Sequence, residues 1–331
     1  MGITRKFFSC WQNWIGLFII LVFVLTALFA PLLSPQNADT QDVVQSYSRV
    51  PQPPSPEAPL GTLPDQSSVF DALIWGTRNA ITFGVGVTAI VFLIGTLIGT
   101  IAAFFGGRVN TVMMWIVDGF LAFPIIAGVV LFQQINNNLL VNLLESTEYA
   151  GFYSYVVKNP AILNSIKPLF SPFMNINPTA LAFVLLMWMP YARIMNASVL
   201  RIKQMEFVSA AKVSGAKKSR VIFRHLIPNA IAPVLVLAAK DVGALVVLQT
   251  TFSFIGLGHP TPWASTLLLG KDWIFSPKGI VTYWWVFLPV TLALILFGVG
   301  WNLLGDGLIN AMNPRTENKQ PSSLNFLRKN S

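Results

Sequence analysis

Residues 14–33 read WIGLFIILVFVLTALFAPLL, a run without a single charged side chain. A bilayer's hydrocarbon core is about 30 Å thick, which a helix of roughly 20 apolar residues can cross. Arg5 and Lys6 precede the run, as basic residues precede the apolar region of a signal peptide. The run is longer than the apolar region of a typical signal peptide, however, and residues 27–31 (ALFAP) form a poor cleavage site. The stretch therefore predicts an uncleaved first membrane-spanning helix.

The composition of the whole chain agrees with a membrane protein. Of the 331 residues, 54% are hydrophobic and only 11% are charged, and the mean hydropathy is +0.62. A soluble domain carries about 25% charged residues, because its surface faces water. A soluble enzyme and a disordered protein are therefore excluded. Cys10 is the only cysteine, so no intrachain disulfide can form.

Further stretches are long and apolar enough to cross the membrane as helices, since lipid cannot satisfy the backbone polar groups of any irregular segment. These stretches are residues 79–105, 111–135, 178–200, 229–257 and 284–305. Together with the first run, they predict an all-α, polytopic transmembrane helical bundle of six spans.

The basic residues predict the orientation of this bundle. The net charge is +9. With the amino terminus inside, fourteen of the 22 Lys and Arg residues fall in the start of the chain, in residues 106–110 and 201–228, and in the tail after residue 306. Six fall on the opposite side. Because basic residues accumulate on the cytoplasmic side, we expect a multi-pass protein of the cell (inner) membrane with both termini cytoplasmic. The basic residues lack an interleaved aromatic reading surface, so a nucleic-acid partner is not expected.

The connections on the outer side are long. Many prolines in residues 34–78 predict an extended crossing of the outer surface, followed by a short amphipathic helix beginning near Val69 that rests on the outer interface. Residues 136–177 predict an extracytoplasmic insertion with some helix. We therefore divide the chain into an amino-terminal part (1–78), a core permease domain (79–309) and a cytoplasmic tail (310–331).

The inner loop 201–228 predicts a helix–turn–helix. Phe207, Ala210, Ala211 and Ser214 recur at spacings of three and four, which gives one helix a narrow face of mostly small side chains. Gly215 lies where such a helix ends with positive φ, a conformation that suits glycine. A second short helix follows, and Pro228 marks entry to the fifth span, because proline is tolerated at a helix start.

Two interpretations of this loop remain open at this point. The small side chains allow the backbone of another protein to approach closely, which a docking surface requires. The alternative is an amphipathic helix resting on anionic lipid headgroups through its basic residues, Lys217, Lys218, Arg220 and Arg224.

Separated motifs give the chain a resemblance to a known family. Besides residues 210–216 (AAKVSGA) and 224–229 (RHLIPN), the motifs are 60–62 (LGT) with 73–78 (LIWGTR), 117–118 (VD) with 122–124 (AFP), 253–258 (SFIGLG), 302–308 (NLLGDGL) and 313–315 (NPR). In this order they resemble the second, C-type permease of dipeptide, oligopeptide and nickel ABC importers, in which the inner loop is called the EAA loop.

The resemblance implies a type I ABC-importer permease fold and a set of partners. These are a second permease subunit, two cytoplasmic ATPase subunits and an extracytoplasmic solute-binding protein. It also implies that the chain is not an enzyme and binds no cofactor. In agreement, the sequence has no phosphate-binding Gly-x-x-x-x-Gly-Lys-Ser/Thr motif and no cluster with metal-ligand spacing. By the resemblance, the ATPase-coupling residues are Glu206, Ala210, Ala211, Gly215 and Pro228.

The sequence departs from the family pattern in ways that leave the substrate open. Ser209 stands where a glutamate commonly precedes the Ala-Ala pair, and Gln249 stands where a glutamate commonly precedes the 253–258 motif. Within the group, the substrate is a peptide, nickel, or a glutathione-like or opine-like solute.

Ionisable residues within spans mark a translocation path or a buried pair, because a charge at the bilayer centre costs about 2.5–3.5 kcal/mol on insertion scales. Asp118 is either a path residue or a structural acid bonded to a neighbouring helix, and Arg193 is close enough to the cytoplasm to snorkel. Lys240 and Asp241 point about 100° apart, so we expect one or both to face the pore or the partner. Gln249, two turns further on, is a candidate for the same path. For Asp241 the alternative is an intramembrane salt bridge.

Two other functions compete with an ABC-importer permease. An ion-coupled secondary carrier would use Asp118 and Asp241 and would act without ATP. A membrane scaffold would need no polar residue in mid-span. The inner loop favours the permease.

Overall fold

The computed structural model describes residues 7–8, 10–35, 50–132, 177–274 and 282–312. The helices are α1 (Trp11–Leu33), α2 (Val69–Phe105), α3 (Gly107–Leu121), α4 (Ile125–Phe132), α5 (Pro178–Leu186), α6 (Trp188–Ile202), α7 (Glu206–Val213), α8 (Lys218–Arg220), α9 (Ile227–Ala230), α10 (Ala232–Phe254), α11 (Pro262–Ile274) and α12 (Leu288–Met312). In these ranges β-structure is limited to one isolated bridge between Thr62 and Ser68.

The described helices agree with the predicted bundle. Five stretches are long and apolar enough to cross a membrane, namely α1, α2, residues 179–202 (most of α5 with α6), α10 and α12. The helices α3 and α4 pass the same test as a pair, with a bend of 81° between them, which brings the number to six if the pair is one span. Pro124 lies in the break, where its missing N–H favours a kink.

The start of α2 corrects one expectation. Residues from Val69 onward do not form a separate helix on the outer interface, because α2 runs without interruption from Val69 to Phe105. Val69 is fully buried and packs in a small cluster with Leu63, Trp285 and Val286. Protein rather than lipid therefore covers this part of the helix.

The long helix α2 is the centre of the bundle and packs against α1, α6, α10 and α11. Its closest neighbour is α6, which approaches it at Gly95 and Gly99. A Cβ atom at Gly99 would clash with the backbone of Ala192 on α6. This Gly-x-x-x-Gly spacing is typical of membrane helices whose backbones pack closely.

Aromatic side chains join the remaining helices. Phe23 of α1, Trp263 of α11 and Phe297 of α12 form a cluster of rings whose centroids lie 5.2–6.4 Å apart. Such edge-to-face contacts stabilise beyond the area that they bury. Apart from Asn177, which caps α5, the predicted insertion 136–177 lies outside the described residues, and so does the tail from residue 313.

Candidate coupling loop and intramembrane charges

The loop between α6 and α10 forms a helix–turn–helix at one end of the bundle, which we call the loop end. Its first helix, α7, ends at Val213, and the backbone turns at Gly215 with φ +76°. The turn is closed by Ala216 N–H, which donates to Ala211 O at 3.1 Å. The prediction of a glycine-ended helix at this position is confirmed.

The surface of α7 exposes the residues that the sequence analysis assigned to it. Glu206, Ala210 and Gly215 are exposed and Ala211 is half-buried, whereas Val208 packs into the core. Val213 is 89% exposed. A Cβ atom added at Gly215 would meet no atom of the described residues within 4 Å. The turn therefore projects from the body of this chain.

The second arm of the loop is longer than predicted. After α8 the chain forms a π-helical segment, Val221–Leu226, and then α9. Pro228 is exposed and lies within α9, and the spanning helix α10 begins only at Ala232. π-Helical segments are rare in proteins, and those that occur are often found at functional sites.

Three lysines tie the loop to the end of α2. Lys203 Nζ donates to Ala103 O at 3.0 Å and to Phe104 O at 2.6 Å. The Nζ atoms of Lys212 and Lys218 lie 6.0 Å and 5.9 Å from the ring centroids of Phe104 and Phe105. Burial lowers the pKa of Lys203 below its ordinary value, and the positive charge of Lys212 lowers it further.

Asp118 and Arg193 form an ion pair between α3 and α6, with Arg193 Nη1 2.8 Å from Asp118 Oδ1. Arg193 thus pairs within the bundle, whereas the sequence suggested that it snorkels. The side chains of Arg193 and Asp118 remain 63% and 47% exposed. The residues that the structure describes therefore leave one side of this pair uncovered.

Lys240 and Asp241 have separate partners within this chain. Lys240 Nζ lies 2.6 Å from Asp306 Oδ1 on α12. Asp241 Oδ2 accepts a hydrogen bond of 2.7 Å from the hydroxyl of Tyr191 on α6. The intramembrane salt bridge that the sequence suggested as an alternative for Asp241 is thus formed by its neighbour Lys240, with Asp306.

Gln249 lies two turns beyond Asp241 and is only 3% exposed. Its Nε2 atom has no hydrogen-bond partner in the described part of the chain. Burying an amide N–H without an acceptor costs free energy. This group is therefore available to donate to a ligand or to a partner subunit.

Sequence reasoning missed Tyr191, Asp306 and Lys203. Asp306 belongs to a motif that was noted, but nothing in the spacing shows that it meets Lys240. Tyr191 looks like an ordinary aromatic core residue. Lys203 was counted only as one of the basic residues that set the orientation.

Five apolar spans, or six with the bent pair of α3 and α4, are a feature of a membrane transport protein, and so are an exposed helical loop at one end and charged pairs between the helices. Residues 95–318 match the family described as "Binding-protein-dependent transport system inner membrane component". Residues 3–54 match the "N-terminal TM domain of oligopeptide transport permease C". The chain therefore belongs to the family of binding-protein-dependent transport system inner membrane components.

Relatives cover most of the chain. The oligopeptide transport system permease protein OppC of Bacillus subtilis (strain 168) is 29% identical over 95% of this chain and 92% of its own length. The dipeptide transport system permease protein DppC of the same strain is also 29% identical, over 91% of this chain and 81% of its own length. The glutathione transport system permease protein GsiD of Pectobacterium atrosepticum is 24% identical over 91% and 85%.

These findings confirm the predicted class. The protein is a transmembrane permease subunit of an ATP-driven importer family, with the helical fold that the sequence predicted. None of the comparisons supports an ion-coupled carrier.

Proposed function

We propose that this chain forms one half of the translocation path for peptides or peptide-like solutes. A second permease completes the path, two cytoplasmic ATPase subunits hydrolyse ATP, and an external binding protein delivers the solute. The relatives include oligopeptide, dipeptide and glutathione permeases, which supports this substrate class. The family description supports a binding protein as partner.

The observation that carries the proposal is the exposed turn at Gly215. The backbone turns there with positive φ, and the described residues leave open space around Gly215. The backbone of another protein can therefore approach the small side chains at this turn. Lipid contact would also suit the exposed apolar side chains of the loop, Val213, Phe207 and Phe223, so a protein partner is inferred from the projection of the Gly215 turn from the bundle. On this ground the loop is a docking element for the ATPase subunit, and the loop end is cytoplasmic.

Each coupling residue has a distinct part in this proposal. Ala210 and Ala211 allow the close approach, and Gly215 allows the sharp turn. Glu206 places a carboxylate in the first turn of α7, where the helix dipole favours a negative charge. Pro228 sits in the arm that leads back to α10, so a movement of the loop reaches this span.

The intramembrane residues Asp118, Lys240, Asp241 and Gln249 are proposed to line or flank the path. Charged side chains in spans face a bundle interior or a water-filled cavity, because lipid solvates them poorly. The pair of Asp118 and Arg193 is about half exposed in this chain. Its open side must therefore face the path or the second permease.

The docking proposal can be tested with asparagine at two glycines. Asparagine tolerates positive φ better than other residues with a Cβ, so Gly215→Asn adds a side chain with little strain. Gly256 is a matched control, because it has φ +80° and open space as well but follows α10 at the opposite end of the bundle. Both variants are purified with the partner permease, and the bound ATPase is measured.

We expect Gly215→Asn to lose the ATPase while membrane insertion is unchanged, and Gly256→Asn to retain it. Normal ATPase binding by Gly215→Asn, or an equal loss by both variants, would reject this docking surface. The substrate class is tested separately, by ATP-dependent uptake of labelled dipeptides into proteoliposomes that contain the complete transporter and its binding protein. Uptake that is driven by an ion gradient without ATP would contradict the proposal.

A further inference from the structure

The end of α2 is held by the coupling loop rather than by lipid or solvent. The last four carbonyl groups of a helix have no partner within that helix. In α2 two of these groups, Ala103 O and Phe104 O, accept hydrogen bonds from Lys203 Nζ, at 3.0 Å and 2.6 Å. A cation at a helix carboxyl terminus is also favoured by the helix dipole. Lys203 is half-buried, so these two bonds are only partly exposed to competition from water.

Both arms of the helix–turn–helix contact this same helix end. Lys212 precedes the Gly215 turn and lies over the ring of Phe104, and Lys218 follows the turn and lies over the ring of Phe105. An ammonium over an aromatic ring is attracted by its electron-rich face. With Lys203 before α7, three lysines spaced along the loop therefore converge on three consecutive residues of α2.

The end of α2 is also the place where the chain enters α3. Gly106 and Gly107 both have positive φ, and Asn110 N–H donates to Gly106 O at 3.2 Å. Asn196 of α6 donates to Asn110 Oδ1 at 2.5 Å and to Gly99 O of α2 at 3.3 Å. These hydrogen bonds link the α2 end to both α3 and α6, and α3 carries Asp118 of the exposed ion pair.

We propose that residues 103–106 belong to the unit that receives the movement of the ATPase, and that Lys203 is the positioning residue that joins them to the coupling loop. This proposal rests on the proposed function, because it needs an ATPase docked at the Gly215 turn. In it, nucleotide-driven movement reaches the path through α2 and α3 as well as through α6 and α10.

The first experiment separates coupling from docking. Lys203→Gln, Lys203→Arg and Arg201→Gln are compared in the complete transporter in proteoliposomes, and labelled dipeptide uptake and ATP hydrolysis are measured together. Arg201 is the matched control, since it is an exposed cation at the same end with no hydrogen bond or ion pair to the described residues. Lys203→Arg keeps the charge and the donors.

We expect Lys203→Gln to retain the bound ATPase and its hydrolysis, while uptake per ATP falls by roughly tenfold or more, because both charge-assisted hydrogen bonds to the α2 end are lost or weakened. Lys203→Arg should recover most of the ratio, and Arg201→Gln should not change it. An unchanged ratio in Lys203→Gln, an equal fall in Arg201→Gln, or loss of the ATPase from Lys203→Gln would each overturn the proposal. The last result would assign Lys203 to docking and would leave the proposed function intact.

A second experiment does not depend on the solute or on the folding of a Lys203 variant. Cysteines replace Phe104 and Lys212 in a chain whose Cys10 is changed to serine, and a short reducible linker joins them. If the α2 end and α7 move as one body, ATP hydrolysis by the complete transporter continues at the rate of the unlinked protein. Hydrolysis that stops on linking and returns on reduction would overturn the proposal.

Discussion

Lys240 of α10 and Asp306 of α12 form an ion pair, with Nζ 2.6 Å from Oδ1. The aliphatic part of Lys240 lies along Gly305, where an added Cβ would meet its Cγ at 2.5 Å. The two helices are among the most closely packed in the bundle. The pair therefore joins the span that leaves the coupling loop to the last span of the chain.

Neutralising one member of this pair should destabilise the protein and leave the other charge without a partner. For Lys240→Met or Asp306→Asn we expect a loss of stability of about 1 kcal/mol, in the range measured for polar contacts between membrane helices. The exchange Lys240→Asp with Asp306→Lys should restore most of it. Thermal unfolding in detergent measures the loss of stability and its recovery. Uptake by the same variants distinguishes a role of Lys240 in the path from a purely structural role of the pair. If the exchanged protein is stable but inactive, Lys240 acts on the path, and if it is stable and active, the pair is structural.

The hydrogen bond between Tyr191 and Asp241 offers a second test. Tyr191→Phe keeps the ring, whose centroid lies 6.3 Å from that of Phe92, and removes only the hydroxyl that donates to Asp241. Because a half-buried carboxyl group then loses its donor, we expect a loss of about 1 kcal/mol, read from thermal unfolding. In a chain that already carries Asp241→Asn the same change should cost less. Equal losses in both backgrounds would show that the hydroxyl does not act through Asp241.

The spans and the turn of the inner loop follow from the sequence because both depend on local properties. Apolar runs such as residues 14–33 predict helices from length and hydropathy alone, and Gly215 ends a helix by its own conformational freedom. The partners of the charged residues do not follow from such local rules. Lys240 meets Asp306, and Lys203 meets Ala103, only through the packing of helices that are far apart in the chain.

The expected interfacial helix at Val69 shows the same limit. Its amphipathic spacing is real, but the spacing does not say whether lipid or protein covers the apolar face. Val69 is covered by Leu63, from the segment before α2, and by Trp285 and Val286, from the segment just before α12.

The exposed side of the pair formed by Asp118 and Arg193 should face water in the assembled transporter. Ala122 lies one turn beyond Asp118 and is exposed, so Ala122→Cys reports on this side without breaking the pair. In a chain without Cys10, we expect a small charged thiol reagent to modify Ala122→Cys. Ile116 lies about 200° away from Asp118 around the helix and is 50% exposed, so Ile116→Cys serves as the control, which we expect lipid to cover and the reagent not to modify. Protection of Ala122→Cys, with cross-linking to the second permease, would place this side at the subunit interface instead.

The close packing of α2 on α6 predicts different outcomes for two glycines of the same helix. A Cβ at Gly99 would clash with the backbone of Ala192, whereas a Cβ at Gly86 would meet no atom within 4 Å. Gly99→Ala should therefore destabilise the protein by about 1–3 kcal/mol, the usual cost of overpacking. Gly86→Ala should be neutral or slightly stabilising, because alanine is the better helix former. Thermal unfolding of the two variants side by side decides this, and equal stabilities would show that α2 and α6 are not in close contact.

The orientation of the bundle can be read from two single cysteines at opposite ends. Val213 is 89% exposed at the loop end, and Gln52 is exposed in the segment that precedes α2. After Cys10 is changed to serine, Val213→Cys and Gln52→Cys are each treated with a membrane-impermeant maleimide in intact cells. Because basic residues collect on the cytoplasmic side, we expect Gln52→Cys to react in intact cells and Val213→Cys to react only after the cells are permeabilised. Labelling of Val213→Cys in intact cells would place the loop end outside, where no cytoplasmic ATPase can reach it.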